Sequence, residues 1–74
     1  MKIKLLSCDA AKPDRRAITK MFEEVVGLSN YDARDNTDIL LDGSPVEVDI
    51  FGKGTNSAYR AFRKLDIDYE IIED

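Results

Sequence analysis

Three short stretches of this 74-residue chain alternate between apolar and polar side chains, and that alternation constrains the fold more than any other feature. Lys2-Ile3-Lys4-Leu5 is the first, Val46-Glu47-Val48-Asp49-Ile50 the second and Ile67-Asp68-Tyr69-Glu70-Ile71 the third. Successive side chains of a strand point to opposite faces, so a period of two marks a strand with one buried and one wet face. Three such strands are predicted.

Between them the period changes to that of a helix. Pro13 suits a first helical turn, and from there Ala17, Ile18, Met21, Phe22 and Val25 form one apolar stripe that Gly27 can end. A second helix is expected from near residue 57, with Thr55, Asn56 or Ser57 as its N-cap and Ala58, Ala61, Phe62 and Leu65 as its stripe. In residues 29–44 the pattern is weaker. Ser29-Asn30 can open a short helix within 30–41, Ile39-Leu40-Leu41 needs burial, and Asp42-Gly43-Ser44-Pro45 reads as a turn into the second strand. Phe22 and Phe62 are the expected core, where the helices meet the sheet.

The element order is therefore β-α-(α)-β-α-β, and it restricts the topology. A helix pair between strands one and two returns the second antiparallel to the first, and one helix between strands two and three makes those two parallel. An antiparallel sheet then requires the first strand in the middle. Charge leads to the same order independently. The wet face of the first strand carries Lys2 and Lys4, and those of the other two carry Glu47, Asp49, Asp68 and Glu70. A lysine strand between two acidic strands makes favourable cross-strand pairs on both sides. The expected fold is a single α+β domain over residues 1–74. It is a two-layer sandwich of a three-stranded antiparallel sheet, order 2-1-3, with helices on one face.

Composition narrows function mainly by exclusion. With 43% hydrophobic and 35% charged residues the chain is globular in character. Its apolar N-terminal run is too short for a signal peptide or a membrane span, so a cytoplasmic location is the expectation. There is no histidine, the commonest general base and metal ligand, and no second cysteine to make a disulfide or thiolate zinc site with Cys8. No catalytic, cofactor or metal site is expected. Cys8 lies just after the first strand, and without histidine only Lys12 or an arginine is left to activate it. Gly52-Lys53-Gly54-Thr55 fails as a phosphate loop: glycine, not serine or threonine, follows the lysine, and Glu47 stands where the leading glycine belongs. It reads as a turn before a helix. The acids Asp66, Asp68, Glu70, Glu73 and Asp74 alternate outward and make a poor cation cage.

The net charge of −4 hides alternating blocks. Residues 1–22 carry six basic and two acidic side chains, 23–51 one and eight, 52–64 four and none, and 65–74 none and five. Arg15, Arg16, Thr19 and Lys20 lie off the apolar stripe of the first helix, and Arg60, Arg63 and Lys64 off that of the last. With both helices on one side of the sheet, these groups can form one basic face. The best functional candidate is thus a binding surface for an acidic protein partner. RNA is the alternative, although the pattern lacks the exposed aromatics that usually stack bases. Because Arg15 and Lys20 lie off the stripe, their charge is expected to matter for binding and little for folding.

The order β-α-α-β-α-β, the segment Arg15-Arg16-Ala17-Ile18-Thr19-Lys20 leading to Gly27-Leu28, Asp32-Ala33-Arg34 and the turn Ser44-Pro45 together resemble the C-terminal domain of the bacterial ribosomal stalk protein. The layout is equally similar to the protease adaptor ClpS, which shares that fold. The stalk resemblance implies binding of translational GTPases through the first helix and the turn after it. Arg15 and Lys20 keep two of the binding positions and Arg34 a third, while Thr19 replaces an aliphatic and Glu23 stands where an arginine is found. The dimerisation domain and alanine-rich hinge of a stalk protein are not in this sequence, which suggests a stand-alone relative of the domain, as a phage or mobile element would carry. ClpS binds peptide ends with an Asn-Asp-Asp-like run and a histidine. Ser7-Cys8-Asp9 keeps one acid of that run, and the histidine has no counterpart.

Overall fold

A strand over Lys2–Cys8 (β1) forms the middle of a three-stranded sheet, between β2 (Val46–Asp49) and β3 (Ile67–Glu73), and runs antiparallel to both. The computed structural model describes residues 1–50 and 54–73. The spatial order β2-β1-β3 is the one that strand direction and charge require. On the wet face Lys4 lies opposite Glu47 on one side and Glu70 on the other, and Lys2 lies opposite Asp49. In the β3 register Lys2 falls opposite Glu73, because an irregularity at Ile72 skips one residue. A second irregularity skips Leu6, so the ladder resumes with Ser7 opposite Asp68 and Cys8 opposite Ile67. The first strand is thus longer than its alternation suggests, and Cys8 closes it instead of following it.

The other face of the sheet is covered by helices. Arg15–Met21 (α1) starts at Asp14, whose carboxylate accepts the Ala17 N–H at 3.1 Å, so Pro13 precedes the cap and lies outside the first turn. The helix continues as a π-helical turn over Phe22–Val26 and stops at Gly27, whose φ of 87° is a left-handed conformation that favours glycine. Widening the last turn moves Val25 off the line of the stripe. It is only half-buried, whereas Ile18, Met21 and Phe22 are buried. Asn30–Leu41 (α2) fills the segment with the weaker pattern, capped by the Ser29 hydroxyl, which accepts the Asp32 N–H at 3.2 Å. It ends in a Schellman arrangement: Ser44 N–H donates to the Ile39 carbonyl and Gly43 N–H, at φ 95°, to that of Leu40. Thr55–Lys64 (α3) begins two residues earlier than its stripe suggests. Gly54 is its N-cap and no side chain caps it, so Thr55, Asn56 and Ser57 lie within the first turn.

Phe22 and Phe62 are fully buried with Ile3, Leu5, Ile18 and Leu40, and they form one core between the helices and the sheet. Ile67 and the valines of β2 extend it to both edges. No helix among the described residues is long and apolar enough to cross a membrane.

Ile3, Lys4 and Leu5 are the residues of β1 paired on both sides in regular register. Their amides should exchange most slowly in the molecule, at the rate of global unfolding, ahead of any amide in β2 or β3. Slower exchange in an outer strand would contradict the central position of β1.

Candidate functional site

α1 and α2 lie side by side, and their polar flanks leave an open groove of about 950 Å³ between them. Its walls are Arg15, Arg16, Thr19, Lys20 and Glu23 from the first helix and its π-helical turn, and Asn30, Arg34 and Asp38 from the second. Helical spacing accounts for this selection. With Ala33, Thr37 and Leu40 of α2 turned to the core, Asn30, Arg34 and Asp38 follow at steps of four along one flank. Arg15, Arg16, Thr19, Lys20 and Arg34, read from the sequence as a binding set, are thereby brought together.

Arg60, Arg63 and Lys64 are exposed on α3, outside the groove. That helix packs mainly on β3, so the basic residues divide into two groups. Arg63 and Lys64 occupy the last turn of α3, where cations are favoured by the helix dipole regardless of any partner. Gly52 and Lys53, expected from the sequence to form a turn before this helix, lie outside the described residues.

Inside the groove the cations are not equivalent. Arg15 forms an ion pair with Asp38 across the two helices, with both side chains well exposed. Such a surface pair contributes at most about 1 kcal/mol. Its main effect here is to engage the Arg15 guanidinium. Arg16, Lys20 and Arg34 have no ion-pair partner among the described residues. Glu23 is half-buried and accepts a hydrogen bond from the Asn30 side-chain amide at 3.1 Å, both residues lining the groove. Four cations against two carboxylates leave the groove net positive.

Below the groove the helices are joined by two hydroxyls. Thr37 is fully buried, its Oγ1 2.8 Å from the Ala33 carbonyl oxygen and 2.9 Å from Thr19 Oγ1, which itself lies 2.9 Å from the Arg15 carbonyl oxygen. Two hydroxyl protons serve three contacts. Only two of the three can be full hydrogen bonds at a time, and either threonine can be the donor across the interface. Thr19 is thus a structural link as well as a groove residue. Thr37 was not legible as a site residue, since a lone threonine in a polar segment carries no sign of the threonine opposite it.

Two other candidates are placed by the structure. Cys8 is half-buried, with its thiol donating to the Leu65 carbonyl at 3.4 Å, a position at the edge of the core. Tyr31 is 78% exposed in the first turn of α2, one turn before Arg34, so an exposed aromatic does stand beside the basic groove.

Comparison with known protein families, curated proteins and solved structures returns no match.

Proposed function

We propose that this chain is a non-enzymatic interaction module that holds an acidic segment of a partner protein in the groove between α1 and α2. The observation that carries this reading is the convergence of Arg15, Arg16, Lys20 and Arg34, from two helices, on one open groove. The wet face of the sheet is dominated by carboxylates, so an acidic partner is drawn to one side of the molecule and repelled from the other. The absence of histidine supports a binding role over catalysis. The resemblance of Arg15, Lys20 and Arg34 to the binding positions of the stalk domain points to the translation machinery for the partner.

Charge reversal at Arg16 with Arg34 tests the proposal better than reversal at Arg15, which would also break the pair with Asp38. Both side chains are exposed, and an acid at position 16 in the first turn of α1 is favoured by the helix dipole. The double variant should melt within about 8 °C of wild type, as two surface substitutions of about 0.5 kcal/mol or less each imply. Affinity for an acidic partner should fall by about tenfold or more, with much of the loss in the association rate and a smaller loss at high salt. Equal affinity for wild type and variant, read by surface plasmon resonance at two salt concentrations, would reject the groove as the site.

Tyr31 favours RNA as the second reading, because an aromatic one turn from Arg34 can stack a base beside a phosphate contact. The salt dependence separates the two. RNA binding should fall log-linearly with salt, in proportion to the phosphates contacted, and should weaken on Tyr31→Ala.

A further inference from the structure

The two edges of the sheet are not alike. β2 is four residues long and is entered through Pro45, and both features blunt an edge against further pairing. β3 spans seven residues, contains neither proline nor lysine, and leaves Ile71 49% and Ile72 42% exposed. Its inner side is paired with β1, and among the described residues no strand lies beyond its outer side. Backbone donors and acceptors on that side are therefore open to a further strand.

The charges of β3 select what can pair there. Within the sheet Glu70 is matched by a lysine of β1, and the outer flank presents Asp68 and Glu70 to whatever comes next. A second copy of β3 is disfavoured. Antiparallel pairing that keeps both sheets the same way up sets even-numbered residues against even-numbered ones, so the central registers confront carboxylate with carboxylate. A strand patterned like β1, with cations on one face and aliphatics on the other, meets opposite charge and also covers the exposed isoleucines.

We propose that the free edge of β3 docks an extended segment of a partner protein in which lysine or arginine alternates with aliphatic residues, added as a fourth strand. This surface is separate from the α1–α2 groove and takes a partner of the opposite charge.

A blocked peptide Lys-Ile-Lys-Val-Lys-Val, added to the intact chain, tests the proposal by amide exchange. At saturation the β3 amides that point away from β1 should exchange at least about tenfold more slowly, and the same peptide with glutamate for lysine should leave them unchanged. Asp68 lies opposite Ser7, not a lysine, so Asp68→Lys removes an edge charge without breaking a pair within the sheet. It should weaken the peptide about three- to tenfold, with Asp68→Asn intermediate. Unchanged exchange in β3 with the lysine peptide would overturn the proposal, and so would equal protection by both peptides.

Discussion

Replacing Phe62 by alanine should leave the domain largely unfolded at 37 °C. The ring is fully buried, and its centroid lies 5.1 Å from that of Tyr69, which itself stacks on Tyr59 at 5.4 Å. Phe62 thus connects the helical core to the aromatic packing between α3 and β3. Truncating a core phenylalanine removes its burial and leaves a cavity, at about 3–5 kcal/mol. A chain of this length has about 4–11 kcal/mol in all, and its small core places it toward the lower end. At about 4–8 °C for each kcal/mol in a domain of this size, the midpoint should drop by about 15 °C or more. Thermal denaturation followed by circular dichroism measures this directly. A cooperative melt within a few degrees of wild type would show that the ring is dispensable to the core.

Lys4→Glu is the second substitution with a large expected effect, and it acts on the wet face where burial contributes little. Position 4 lies between Glu47 and Glu70, so the variant sets three carboxylates in a row across the sheet. Two favourable pairs are lost and two unfavourable ones appear, each change being worth about 0.2–1 kcal/mol. The sum is about 1–4 kcal/mol, and it should shrink as salt rises because these groups reach solvent. Urea denaturation at low and high ionic strength should show a lower midpoint that partly recovers with salt. Affinity for an acidic groove partner should not change, since Lys4 is on the opposite side of the sheet. A salt-independent loss of stability would mean that packing of the lysine stem, not charge, holds the three strands in order.

Much of this fold was legible in the sequence, for reasons that can be assigned to particular residues. The alternation in Val46–Ile50 and Ile67–Ile71 fixed both strands and their faces, and Lys2 and Lys4 against the surrounding acids gave their order. What was not legible depends on contacts between distant segments. The π-helical turn at Phe22–Val26 and the unpaired Leu6 keep the hydrogen-bonded backbone but shift its phase, and no periodicity rule anticipates where that occurs. Cys8 belongs to β1 because Ile67 is opposite it, not because of its own neighbours. Five of the eight residues expected to bind a partner, Arg34 among them through the stalk resemblance, do share a groove. Their inequality, with Arg15 engaged by Asp38 from a helix more than twenty residues away, could be seen only once the two helices were side by side.

The central position of β1 also has a consequence for biosynthesis. Within this domain β1 leaves the ribosome before the other elements, yet one of its two neighbours, β3, is made after all of them, with Ile3 paired to Ile71. At about 5–20 residues per second, β1 waits about 3–14 s before its second edge can be covered. Until the helices and β2 follow, Ile3, Leu5 and Leu6 form an exposed aliphatic segment of the kind that recruits other nascent chains. Lys2 and Lys4 interrupt it as gatekeepers, adding charge repulsion between unfinished copies. The lysines that order the finished sheet thus also protect the chain before there is a sheet to order.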